Sequence, residues 1–149
     1  MFTTTYSSSI APYVRMAYES DPILLEKWHV IAGSGLDKCI AQTVSDLSAC
    51  TSIRFYVVTE DSQFVGYFAT EFDGAYMPTI FIHPKYRHRK AEFWKLVEAK
   101  TLPEWNAGIY AKNIPCKKFY EKMGKVISEI QAPLGAAVIF GFSRSESCR

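Results

Sequence analysis

The chain has 149 residues, 48% hydrophobic and 15% aromatic against 21% charged, a composition that excludes a disordered polypeptide. That length suffices for one domain with its own core, without disulfides or metal. A formal charge of +2 weighs against a nucleic-acid partner, although Lys85, Arg87, His88, Arg89 and Lys90 stand almost side by side.

The opening Met1-Phe-Thr-Thr-Thr-Tyr-Ser-Ser-Ser lacks a basic segment followed by an apolar one, so no secretory signal is read there. Ile10, Tyr13, Val14 and Ala17 are spaced for a short helix whose start Pro12 limits. Asp21-Pro22 reads as the cap and first residue of a second helix, with Leu24, Trp28 and Ile31 near one face and Gly33 as its stop. Ser34 is placed to cap a third, in which Leu36, Cys39, Ile40, Thr43, Val44 and Leu47 form one stripe.

Strands follow. Residues 53–58 and 64–72 are β-branched and aromatic runs joined by the hairpin turn Glu60-Asp61-Ser62-Gln63. Asp73-Gly74 turns the chain into a third antiparallel strand, 76–82. Pro78 cannot donate to a ladder, so a bulge is expected there. A helix from Lys90 to about Lys100 buries Phe93, Leu96 and Val97, and Leu102-Pro103 closes it. Residues 105–111 make the next strand, parallel to 76–82 because a helix separates them. Asn113 then caps a helix through Met123, with Gly124 as its C′ residue. Residues 126–130 and 136–142 make a last hairpin around Pro133-Leu134-Gly135.

Two exclusions follow from spacing. Cys39, Cys50, Cys116 and Cys148 show no short pair spacing and lie in no zinc pattern with His29, His83 or His88, so reduced thiols and no metal site are expected. The run 136–142 is far shorter than the ~20 residues that span a bilayer, so a soluble, cytoplasmic protein without a membrane partner is expected.

The segment from Thr79 to Lys122 carries the chemistry. A strand ends in His83-Pro84-Lys85-Tyr86-Arg87, a helix and a strand follow, and Asn113-x-x-Cys116-x-x-Phe119-Tyr120-Glu121-Lys122-Met123-Gly124 opens the next helix. In order and motif this resembles the GNAT superfamily of acyl-CoA N-acyltransferases, over residues 53–142. The resemblance implies an α+β fold: N-terminal helices, then a mostly antiparallel mixed sheet with one splayed parallel pair, flanked by two helices. It implies that acetyl-CoA lies in the splayed gap, with Ile80, Phe81 and Ile82 on the first strand and Arg87, His88, Arg89 and Lys90 in the following turn as cofactor-binding positions. Asn113 would contact the pantetheine arm or a catalytic water, and Tyr120 would protonate the departing thiolate. Side by side with this stands a structural reading, in which Asn113 is an N-cap and Cys116, Phe119 and Met123 pack a core.

One part of the family pattern is missing. Its turn reads Arg/Gln-x-x-Gly-x-Gly/Ala, whereas Lys90 and Glu92 occupy the glycine and Gly/Ala positions here. Glycine lets backbone amides close on a pyrophosphate at a helix N-terminus, and Glu92 would set a carboxylate against it. Weak or absent binding of acetyl-CoA is therefore expected. A general base has no motif; Glu71 and Glu104 are the carboxylates near the expected cleft, and His83 reads as structural. Two functions follow. One is transfer of an acetyl group from acetyl-CoA to a primary amine of a small molecule or protein. The other is a non-catalytic binding or structural subunit with protein partners, since small phage-encoded acetyltransferase-like proteins, some of them virion components, show similar loop erosion.

Overall fold

The computed structural model describes residues 1–21, 35–50, 52–111, 113–132 and 135–143. Seven strands form one mixed sheet: β1 (Thr3–Ser7), β2 (Arg54–Glu60), β3 (Gln63–Glu71), β4 (Tyr76–Ile82), β5 (Glu104–Tyr110), β6 (Lys125–Ala132) and β7 (Gly135–Ser143). Their spatial order is β1-β2-β3-β4-β5-β7-β6. Among the described residues four α-helices flank the sheet: α1 (Ala11–Ser20), α2 (Leu36–Ser48), α3 (Lys90–Glu98) and α4 (Ile114–Met123). The helix expected from Pro22 to Gly33, and its neighbour Ser34, lie outside the described residues. Gly35, with φ 107°, holds the N-cap position of α2, so the cap falls one residue after the expected serine.

Apolar side chains leave the sheet on both faces, and each face has its own core. Phe68, Met77, Trp105 and Phe140 meet Phe93 and Val97 of α3 and Tyr120 of α4 on one side. Phe55, Val57 and Tyr67 meet Val14 and Ala17 of α1 and Cys39 of α2 on the other. Rings dominate the first core: Trp105 stacks on Phe142 at 4.4 Å between centroids, a contact that adds about 0.5–1.5 kcal/mol beyond its buried area.

Strand β1 was absent from the sequence expectation, which began the sheet near residue 53. It pairs antiparallel with β2 from Thr3 opposite Thr59 to Ser7 opposite Phe55. Its Thr-Thr-Thr-Tyr run has strand propensity but no apolar alternation, so it gives no periodic signal at a sheet edge.

Two irregularities shape β4. Against β3, Ala69 faces Thr79 and Glu71 faces Tyr76, so β4 carries one extra residue in the Met77-Pro78 region, where proline cannot donate. Against β5 the strand is parallel, as the α3 crossover requires, but only Tyr76–Asn106 and Met77–Ala107 are paired. Beyond the bulge the two strands part.

Gly124 ends α4 in an extended conformation, φ −149° and ψ −164°, not in the left-handed one expected of a C′ glycine. Close approach is the reason for glycine here. A Cβ would stand 2.4 Å from the Gly141 carbonyl oxygen and 2.6 Å from the Phe142 ring.

Candidate functional site

The parting of β4 and β5 leaves backbone groups without ladder partners on facing edges. In β4 the His83 N–H donates to the Val65 carbonyl at 2.7 Å, so odd-numbered residues, Phe81 among them, turn their backbone toward β3. Ile80 and Ile82 therefore turn theirs toward β5. The Ile82 carbonyl accepts from Arg87 Nε at 2.9 Å. On β5, Ala111 N–H donates to Ala136 of β7 and Asn106 N–H to Ala75, so the even positions Gly108 and Tyr110 face β4. The gap is thus edged with amide groups from both sides.

A cleft of about 280 Å³ occupies this gap. Tyr76, Ile80, Gly108, Asn113, Cys116 and Tyr120 line it, with Tyr18 and Thr43 of α1 and α2 at its other end. Tyr76 closes the apex: its hydroxyl crosses to β5, and a Cβ on Gly108 would stand 2.6 Å from that oxygen. Glycine is what lets the ring reach across.

Tyr120 is 1% exposed, wedged among Phe140, Phe142 and Trp94, with its phenol facing the cleft beside Cys116. Burial, and then the adjacent Cys116 thiol, raise its pKa well above the usual phenol value. It is therefore a protonated group at neutral pH, a donor rather than a base. Asn113 holds the N-cap position of α4, yet its side chain makes no capping hydrogen bond. Only its carbonyl serves the helix, accepting from Lys117 N–H at 3.0 Å, so the amide is left to the cleft that it lines.

The turn after β4 is built differently. Residues Pro84–Arg89 form a 3₁₀ helix that runs directly into α3. His83 caps it, with Nδ1 accepting from Lys85 N–H at 3.0 Å and its carbonyl from Tyr86 N–H at 2.8 Å. Burial, with Lys85 and Arg87 near by, lowers the His83 pKa. Arg87 pairs with Asp21. Arg89 reaches Glu60 at 2.6 and 2.7 Å and Glu92 at 2.9 and 3.1 Å, and lies over the Phe2 ring at 4.1 Å. Glu92 thus leans sideways onto Arg89, and the Phe2 backbone also bonds it, instead of folding over the amides at the head of α3. Lys85, Arg87, His88 and Lys90 are exposed along the turn, with Lys90 Nζ 5.3 Å from the Phe119 ring centroid.

Of the residues singled out from sequence, Ile80, Phe81, Asn113 and Tyr120 come together along the cleft. Arg87, His88, Arg89 and Lys90 lie in the neighbouring turn. Glu71 and Glu104 are not among the cleft-lining residues; Glu71 is buried at the end of β3, acting on Cys50 and Tyr76. Tyr18, Thr43, Tyr76, Gly108 and Cys116 were not foreseen as site residues. Only Cys116, which stands at an alanine position of the family helix, left any mark in the sequence.

This sheet with its splayed parallel pair is the GNAT fold, and comparison with solved structures agrees. No family model matches the sequence, and no curated protein matches it. A protein from Desulfovibrio desulfuricans assigned to the GNAT family of acetyltransferases superposes with a TM-score of 0.62 at 18% identity, over 96% of this chain and 99% of the other. Apo YjaB from Escherichia coli gives 0.63 at 14%, over 97% and 99%. The aminoglycoside acetyltransferase AAC(6')-Ib, in complex with coenzyme A, gives 0.60 at 16%, over 95% of both chains. Among the described residues no helix is long and apolar enough to cross a membrane.

Proposed function

We propose that this protein is an acyl-CoA-dependent N-acyltransferase that moves an acetyl group from acetyl-CoA to a primary amine, with Tyr120 as the acid. The observation that carries this is the cleft: β4 and β5 pair at two positions only, then open onto Tyr120. The backbone of Ile80 and the N–H of Ile82 on the β4 edge suit an extended chain bearing amides, as the pantetheine arm does. Bulge-side N–H groups of β4 can polarise a thioester carbonyl. The amine nitrogen then bonds to the acyl carbon as the carbon–sulfur bond breaks. Tyr120 gives its proton to the sulfur and regains one from the nitrogen, so the exchange balances without another reactant.

The pyrophosphate half of the coenzyme fits less well. The N–H groups of Lys85, Tyr86 and Lys90 are already bonded within the turn, and Arg89 is held by two carboxylates. Recognition there falls to the exposed Lys85, His88 and Lys90 side chains, which implies weak affinity. That same closure favours a second reading, a GNAT-fold protein that binds a partner without catalysis, of which a virion component is one form.

Calorimetric titration with acetyl-CoA separates them. Saturable binding, with thiol release on adding an amine, supports the enzyme. Heat no greater than dilution at millimolar coenzyme overturns it in favour of the non-catalytic subunit.

A further inference from the structure

The acceptor end of the cleft has a distinctive chemistry. Among the described residues that line it, none carries a carboxylate, an imidazole, an amine or a guanidinium. Beside the Asn113 amide and the Cys116 thiol its polar groups are hydroxyls, and several of these are turned on one another or on backbone. Tyr18 and Thr43 stand 2.9 Å apart, Tyr67 bonds Thr79, and Tyr76 meets the Gly108 backbone. The remaining wall is aliphatic, including Pro78, Ala137 and Ile139. Burial raises the pKa of Tyr18 to about 12, a bond with Thr43 opposing it, so this phenol stays protonated in the cleft.

We infer that the acceptor taken by this cleft is a neutral aromatic amine, in preference to an ammonium-bearing aliphatic one. The inference rests on the acyl-transfer reading above. An ammonium entering here sheds water and, among the described residues that line the cleft, meets no carboxylate, the costly way to bury a charge; Glu71 acts on Tyr76 only from outside that lining. An alkylamine with a lysine-like pKa of about 10.4 is neutral in only about one molecule in 10³ at pH 7.4. An aniline nitrogen, its lone pair delocalised into the ring, is neutral throughout and attacks without a general base to deprotonate it first. The absence of Glu71 and Glu104 from the lining then ceases to be a defect. A flat ring also matches walls built from Tyr18, Tyr76 and Tyr110, and a cavity of about 280 Å³ holds a molecule of that size.

The test uses the full chain at pH 7.4 with two probes of similar shape, 4-methylaniline and 4-methylbenzylamine, each titrated calorimetrically with and without acetyl-CoA. The aniline is expected to bind at least about tenfold more tightly. In Thr43→Glu, which sets a carboxylate at the cleft wall, the order should reverse; circular dichroism checks that this variant is folded. Equal affinities, tighter binding of the benzylamine by the wild type, or no binding of either probe overturns the inference. Thiol release is followed separately. An aniline that binds but releases no thiol keeps the acceptor assignment and overturns the acyl-transfer reading, whereas thiol release with the benzylamine preferred does the opposite.

Discussion

At its middle, β4 faces a gap edged by backbone amides, while at its end the same strand enters a turn in which several backbone N–H groups and both arginines already have partners. The cleft is held open from behind by rings, with Trp94, Phe142 and Tyr120 packed beneath it. The turn is held shut by charge, with Arg89 clamped between Glu60 and Glu92. Ring packing is indifferent to what enters the gap, so it leaves the site available. Ion pairing consumes Arg87 and Arg89, two of the side chains that an anionic ligand would use. One strand therefore borders an open cleft and leads into a turn closed by its own charges.

The largest expected effect tests how far the cleft depends on its rings. Trp94 lies 5.1 Å from Trp105, 5.2 Å from Phe119 and 5.2 Å from Phe142 between centroids. Trp94→Ala should cost about 3–5 kcal/mol in urea denaturation. Arg89→Ala, made one helical turn away on the charged side, should cost much less, because partly exposed ion pairs contribute little. Equal losses would mean that both halves are held by packing, and the contrast would disappear.

Tyr120→Phe asks what the cleft does. The ring and its packing remain, so the melting temperature should hardly move. Turnover should fall by at least about tenfold, toward the ~10²-fold typical of a lost general acid. Unchanged turnover in a folded variant would remove Tyr120 from the chemistry and leave it as architecture. The turn is probed by Lys90→Gly with Glu92→Gly, which restores the glycine positions and strips one carboxylate from Arg89. Acetyl-CoA affinity should rise about two- to fivefold, the range that one charge at a helix N-terminus supports. A loss of affinity would mean that the Lys90 side chain contributes more to phosphate recognition than the restored glycines and the released Arg89 together.

The same contrast explains what the sequence made legible. Strand and helix order from residue 53 onward follows from apolar periodicity, and Pro78 announced its bulge because a missing N–H is a local fact. Asn113 and Tyr120 were legible because one helix presents both. Strand β1 was not, since a threonine run has no apolar period. Tyr18, Thr43 and Tyr76 were not either; three separate elements bring them together, and no local spacing encodes that. The side chain of Glu92 was misplaced for a related reason. From sequence it stands at the phosphate position, but its partner Arg89 draws it aside, with Glu60 arriving from β2.

The smallest effect is a pH dependence confined to the charged half. Arg89, and after it the terminal ammonium of Met1, hold the Glu60 carboxyl down to about 2, below its ordinary 4.5. A carboxyl depressed on folding contributes stability that is complete above its unfolded pKa and is lost as pH falls through the folded one. The window is therefore from about pH 4.5 down to about 2, with full stability above it. Glu92, lowered chiefly by its bond to Arg89, acts in the same direction. Thermal melts through that window should show the wild type falling more steeply than Glu60→Gln. The two curves should differ by a few degrees at pH 6 and converge at the acid end, with the gap narrowing in high salt because these groups are reached by solvent. Parallel curves would mean that Glu60 and Arg89 meet without stabilising the turn. In that case the turn is closed by its 3₁₀ hydrogen bonds and the His83 cap alone, and opening it to a phosphate would require changing the backbone, not the charges.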